Sequence, residues 1–413
     1  MVLFIYNGGA KMLLYYKTSN FSCLKNEVNF SLKPGRVTER FEDNVTIINN
    51  NLKISKIAVI AGENAGGKTS FMVSLDFFKT LIMGNMSKAL KVFCHNYDPN
   101  IPQSFEICVV ISDKIYTYKL KIDSYSMISE ELFIRNTSQS TKQDIQVFLR
   151  KRKNLKSIQR ERLNIVESEI ETSVNTSIIP KKYRELLNSS SSSDKLLITV
   201  LDTLDFDLVK PFVNWIKEKL IIDTPKNSYL SKFEQLKENE NKLQILHDSS
   251  FLEIFRLVDS SIINIDIDDQ EPFKDTKIIR KRSDDSELVT KLEDDSTGVK
   301  DFFNKAINIW KVINNDATLF ADEMDKVLNV VLASKVLSYI KGSEHNGQFI
   351  FSTHNALHLN TIDFMKEQIF FINKNIDSLS SELYSLADFK EYRYSQPDVY
   401  LLYLRGLFGA VPK

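Results

Sequence analysis

Gly62-Glu63-Asn64-Ala65-Gly66-Gly67-Lys68-Thr69-Ser70 meets every fixed position of the pattern G-x-x-x-x-G-K-[ST]. No other stretch restricts the fold of this chain as tightly. Ile57-Ala58-Val59-Ile60-Ala61 precedes it and reads as a buried strand. Phe71-Met72-Val73-Ser74-Leu75-Asp76-Phe77-Phe78 follows it and reads as the apolar face of a helix. Strand, glycine-rich turn and helix are the setting in which such a loop holds phosphate. The backbone N–H groups from Gly62 to Ser70 curl around the anion, and the helix N-terminus adds partial positive charge. Lys68 is a point charge for the β- and γ-phosphates, and the Thr69 hydroxyl is a ligand for Mg²⁺. The competing reading is an ordinary strand–helix turn with an accidental Lys-Thr. Four matched positions in this setting count against it.

The rest of the composition narrows the field. At 413 residues the chain has room for two or three cores. Lys plus Arg equals Asp plus Glu at 54 each, so no bulk basic field points to nucleic acid. Cys23, Cys94 and Cys108 are isolated, which suggests a reducing, cytoplasmic setting and no structural zinc. No apolar run approaches the roughly 18 residues of a membrane span, and Met1 to Tyr6 is too short and lacks the basic flank of a leader.

Taken in order, Met12–Tyr16, Val28–Leu32, Val45–Ile48 and Ile54–Ala61 read as strands leading into the loop. Phe105–Val110 and Ile115–Ile122 form a hairpin signal around Ser112-Asp113-Lys114. The character changes at Arg150-Lys151-Arg152-Lys153, continued by Lys156, Arg160 and Arg162. A solvated helix or loop is preferred here over a nucleic-acid contact. Ser189 to Ser193 reads as a surface loop. Leu196–Leu220 and Phe233–Val258 carry helical spacing, with Leu208, Phe212, Trp215 and Ile216 as a buried stripe. The expected organisation is a first part over 1–150 with the loop, a mainly helical insertion over 151–260, and a third part over 261–413. Asp266, Asp268 and Asp269 read as strand and turn carboxylates in preference to a metal cluster.

The third part carries a constellation. Thr318-Leu319-Phe320-Ala321 is a buried strand ending in Asp322-Glu323. Asp322 is placed to hold Mg²⁺, and Glu323 to accept a proton from an attacking water. A further strand, Gln348–Ser352, runs into Thr353-His354-Asn355, where His354 is placed to reach a γ-phosphate. Ser296-Thr297-Gly298 opens a helix and offers a hydroxyl and free N–H groups suited to an anion. The order is phosphate loop, long insertion, Ser-x-Gly, Asp-Glu, then strand-His.

That order resembles the ABC-type ATPases of the SMC, RecF and OLD branch. The last part of the chain resembles one group more closely, the stand-alone AAA-like ATP-binding proteins of bacterial defence loci, which include abortive-infection ATPases and the ATPase subunit of PARIS systems. The motifs carrying the resemblance are Asn20-Phe21-Ser22, Asp295-Ser296-Thr297-Gly298-Val299-Lys300, Phe351-Ser352-Thr353-His354-Asn355 and the tail Tyr403 to Pro412. Ser22 stands where the family often has a basic residue, with Lys25 as a substitute, and Leu328-Asn329-Val330 replaces a frequent Leu-His-Pro. Gln103 is the weak candidate for a Mg²⁺-contacting glutamine. The resemblance implies an α/β fold, an ABC-type ATPase head with mixed sheets and a helical insertion. It implies ATP and Mg²⁺ as ligands, catalysis by Lys68, Glu323 and His354, and a signature (Ser296, Gly298) that completes the site of a second copy. It also implies an ATP-driven switch over a separate effector in anti-phage defence. The alternative reading is a DNA-repair or nuclease-associated ATPase acting directly on nucleic acid, although neither an HNH-like histidine pair nor an Arg-x-x-x-x-His motif is present.

Overall fold

The strand ahead of the glycine-rich loop, β5 (Ile57–Gly62), lies inside a six-stranded sheet, and all six of its residues are buried. Its apolar run does not alternate with polar residues because both faces are covered. Ala58 and Ile60 enter one core, and Ile57, Val59 and Ala61 enter another. In this computed structural model the described residues are 9–37, 39–84, 97–123, 126–138, 143–160, 163–189, 195–224, 240–393 and 398–410. The expectations for residues 1–6, 190–193 and 233–239, and for Cys94, Arg162, Val411 and Pro412, lie outside them.

The order of that sheet is β11 (Leu220–Asp223), β15 (Thr318–Ala321), β16 (Gln348–Thr353), β5, β17 (Ile369–Lys374) and β18 (Ser381–Ser385). All neighbours are parallel except β17 and β18. Ile350 pairs with Ala58 and Phe320 with Ile350, so the acid-tipped strand lies one strand away from the loop strand. Parallel strands end in step, and this brings the loop, the Asp-Glu pair and the histidine to one edge although the sequence separates them widely.

A second, seven-stranded antiparallel sheet runs β10 (Leu163–Val174), β9 (Ile145–Arg160), β8 (Met127–Asn136), β7 (Lys114–Ile122), β6 (Gln103–Ile111), β1 (Lys11–Ser19) and β2 (Val28–Ser31). Helix α1 (Lys68–Ile82) packs between the two sheets with Phe71, Met72, Leu75 and Phe78 buried. The long helix α6 (Thr297–Asn315) and α7 (Val330–Gly342) cover the other face of the six-stranded sheet. A ribbon of β3 (Val45–Asn49) and β4 (Leu52–Ser55) leads into β5, and a small sheet of β12 (Ile262–Asp266), β13 (Lys277–Lys281) and β14 (Glu287–Lys291) precedes α6. The expected mixed α/β architecture is present. Among the described residues no helix is long and apolar enough to cross a membrane.

The segment after residue 150 corrects the expectation. Arg150 to Arg160 belongs to strand β9, so the boundary drawn at 150 falls within one strand and the basic run is neither helix nor loop. The physical reason is cross-strand charge pairing, which spacing along one strand does not reveal. Lys151 lies opposite Glu171 in the register of β9 and β10. Arg152 ion-pairs with Asp123 at 2.5 Å, Lys153 lies 3.3 Å from Glu171, and Arg150 donates to the Lys195 carbonyl at 2.7 Å. Helices follow in short pieces: α2 (Lys181–Ser189), α3 (Leu197–Thr203), α4 (Lys210–Asn214) running into a π turn at Trp215–Lys219, and later α5 (Ser249–Phe255). In the expected stripe Phe212, Trp215 and Ile216 are buried and Leu208 is half-buried. The same segment then contributes β11 to the six-stranded sheet.

Candidate active site

The loop from Gly62 to Ser70 bends between β5 and α1, and two glycines have positional reasons. A Cβ on Gly62 would stand 2.4 Å from the Ile372 carbonyl oxygen of β17. Gly67 has φ +114°, a conformation that suits only glycine, and a Cβ there would meet Ser381 Oγ at 2.8 Å and Cys23 Sγ at 2.9 Å. Gly67 is the N-cap of α1 and offers no side chain to the free N–H groups of the first turn, which contains no acid. Those donors and the helix dipole favour an anion.

Lys68 is buried, and its ammonium donates to the Gly62 carbonyl at 2.7 Å and the Glu63 carbonyl at 3.0 Å. Burial pulls its pKa down to about 8, against the upward pull of Asp322, Asp325, Glu323 and Glu63. His354, at the end of β16, places Nδ1 3.1 Å from the same ammonium. Because an ammonium can only donate, Nδ1 accepts and the ring proton is assigned to Nε2. Burial, then Lys68, lowers the His354 pKa and keeps the ring neutral.

Thr69 Oγ1 donates to Asp322 Oδ2 at 2.6 Å, joining positions 253 apart. Asp322 is buried, and its backbone N–H donates to the Asp223 carbonyl at the end of β11. A hydroxyl and a carboxylate oxygen in contact form a donor set that fits a hard cation such as Mg²⁺. Glu323 is half-buried and adopts φ +53°, ψ +40°, the left-handed region that costs an ordinary residue roughly 1–2 kcal/mol. Such strain survives where surrounding contacts hold it. Its carboxylate accepts from Lys326 Nζ at 2.6 Å, which lowers its pKa. Lys326 is exposed, so this pair is cheap to break. Asp325 Oδ1 is buried without a hydrogen-bond partner on the same loop.

Ser296 does not meet these groups within the one chain. Its Oγ caps α6 by accepting from Val299 N at 3.4 Å, and Ser296, Thr297 and Gly298 are all exposed. A Cβ on Gly298 would have nothing within 4 Å. The turn is fixed from behind: Arg280 donates to Asp259 at 2.8 Å and to Asp295 at 2.6 Å, and Asp295 accepts from the Ser296 N–H at 2.8 Å. Ser22 Oγ lies 3.1 Å from Ser70 Oγ beside the loop. Lys25 instead stands over the Tyr97 ring, and Gln103 is buried at the first position of β6. Asn329 caps α7 through the Leu332 N–H. Asp266 pairs with Lys277 and Asp269 with His247, while Asp268 accepts from the N–H groups of Gln270 and Glu271.

Three contributors were not visible in sequence. Asp223 receives Lys305 at 2.8 Å and Asn308 at 3.0 Å, both from α6, and so ties that helix to the strand of Asp322. Gln348, fully buried, donates to the Leu13 and Ser55 carbonyls and accepts from the Leu13 N–H and the Thr318 hydroxyl. Ser352, also fully buried, touches both members of the acidic pair. The only sequence sign of the last two is a small or amide polar residue inside an otherwise apolar strand.

The family model described as "AAA domain, putative AbiEii toxin, Type IV TA system" matches residues 57–360. No curated protein matches the chain. Among solved structures, the Smc head bound to the C-winged helix domain of ScpA is similar at 14% identity and TM-score 0.38, covering 90% of this chain and 97% of that one. A Smc head with an extended coiled coil, bound to the C-terminal domain of ScpA from Pyrococcus furiosus, gives 14% and 0.38 over 91% and 96%. The SMC head domain from Thermotoga maritima gives 9% and 0.36 over 90% and 98%.

Proposed function

The chain belongs to this family of AAA domains, and on that premise we propose that it binds ATP at the Gly62–Ser70 loop, hydrolyses it, and uses the cycle to hold or release a separate effector protein. The observation that carries the reading is the Thr69–Asp322 contact at 2.6 Å with Lys68–His354 beside it at 3.1 Å. Four side chains suited to a nucleoside triphosphate thus converge from the first turn of α1 and the ends of β15 and β16.

The loop N–H groups and Lys68 bind and orient the phosphates. Thr69 and Asp322 would hold a Mg²⁺ ion, which when bound would supply charge neutralisation to the phosphates. Glu323 releases Lys326 and accepts the proton of the attacking water, while His354 presents Nε2–H toward the γ-phosphate. Exposed Ser296 and Gly298 serve the loop of a second copy, so ATP joins two protomers. The family description names a toxin of a type IV TA system, and the reading extends this to anti-phage defence, with a separately encoded effector and a cytoplasmic setting.

The test is ATP turnover by the purified chain and by Glu323→Gln. The variant keeps size but cannot accept a proton, so ATP still binds and turnover falls about 10²–10⁴-fold. Wild-type turnover in Glu323→Gln would remove Glu323 from the chemistry, and an inert wild-type chain would overturn hydrolysis itself.

A further inference from the structure

Between the loop strand and the acid-tipped strand lies β16, and its Ser352 is fully buried two positions before His354. The Ser352 hydroxyl donates to Asp322 Oδ1 at 2.5 Å and accepts from the Glu323 backbone N–H at 2.8 Å. One oxygen therefore holds a carboxylate on one acid and the main chain of the next. Thr69 occupies the other Asp322 oxygen, so the carboxylate is fixed in rotation from both sides. Glu323 needs such a hold more than most residues do, because its left-handed backbone departs from the extended path of β15. Its N–H has turned from the strand ladder to a side chain, and a buried donor left unpaired is strongly disfavoured.

We propose that Ser352 is a positioning residue for hydrolysis, setting the Asp322 carboxylate and the Glu323 backbone in the mutual geometry that proton abstraction requires. It is fully buried and acts through its two neighbours. The inference rests on the ATPase reading above. It adds that binding and turnover separate at this position: the loop and Lys68 hold ATP without Ser352, whereas the base is misplaced without it. A displacement of about 1 Å at a reacting group costs on the order of 10²-fold in rate.

The test compares wild type, Ser352→Ala and Ser352→Thr by fluorescent-ATP titration, steady-state ATP turnover and thermal unfolding. Ser352→Ala is expected to bind ATP within about twofold of wild type and to lose roughly 10- to 100-fold in kcat. Ser352→Thr restores the hydroxyl on a strand that favours β-branched residues, and should recover most of the kcat. Wild-type kcat in Ser352→Ala overturns the proposal. So does equal loss in Ser352→Thr and Ser352→Ala, which would assign the effect to packing. If Ser352→Ala does not fold, Ser352→Cys decides in its place, since its thiol fills the space but is a weak donor. Reduced kcat with ATP affinity kept then supports the role, and unchanged kcat overturns it. Absence of turnover in wild type would strike the ATPase reading itself, a distinguishable result.

Discussion

Lys68 makes ATP affinity depend on pH in a way that its surroundings define. Its ammonium is buried among the Gly62 and Glu63 carbonyls, with burial as the largest influence on its pKa, about 8 in place of 10.5. The unfolded chain therefore binds the extra proton more tightly between about pH 8 and 10.5, and stability rises with pH across that window. Keeping the charge below pH 8 costs on the order of 3 kcal/mol, from (10.5 − 8) × 1.36. A polyphosphate beside the ammonium reverses this, because it favours the charged form, so ATP binds the protonated state and draws in a proton above pH 8. At about pH 9, one unit above the pKa, roughly one site in eleven is protonated, and ATP affinity should be about tenfold below its value at neutral pH. Calorimetric titration from about pH 7.5 to 9.5, in buffers of different ionisation enthalpy, reads both the affinity and the proton taken up. Lys68→Arg stays charged throughout and should lose the slope. Lys68→Ala should lose the slope and most of the affinity. A flat wild-type profile would refute the coupling between Lys68 and the phosphates.

Gln348→Leu removes a hub of four hydrogen bonds and leaves the Leu13 N–H and three oxygen atoms without it; unfolding in denaturant should show a loss of roughly 3 kcal/mol or more. A change below about 0.5 kcal/mol would mean that these groups find other partners. Replacing the strand charges Lys151 and Lys153 with Gln should leave any weak DNA retention and its salt slope almost unchanged, since Lys153 already faces Glu171 and Lys151 lies opposite it. Tight binding that is salt-sensitive and lost on this change would favour direct action on nucleic acid.

The loop, its strand and its helix were legible because the pattern fixes both local conformation and chemistry. Asp322, Glu323 and His354 were legible because each follows a short apolar strand, and parallel strands bring their ends to one edge. The β9–β10 hairpin was not, because the partner of a charged strand lies in another segment: Lys151 finds Glu171, and nothing in the spacing from Arg150 to Arg162 announces it. Ser352 and Asp223 were missed for a related reason. Their roles are tertiary, each joining groups from separate elements, so residue type alone could not reveal them. The helix start at Ser296 was legible from Ser-x-Gly ahead of an apolar-periodic run, and within one chain the residue is exposed and caps α6.

The central claim is that two copies share each ATP site, and mixing two inactive variants tests it most directly. Lys68→Ala removes the cation from the loop, and Ser296→Arg blocks the exposed turn; neither should turn over ATP alone. In a heterodimer one composite site carries both lesions and the other carries neither, so the shared-site arrangement predicts that activity returns on mixing. The returning rate should rise with the concentration of either variant, and light scattering with ATP and the Glu323→Gln variant should report a dimer. A protein that stays monomeric under those conditions, with no activity regained on mixing, would contradict the account.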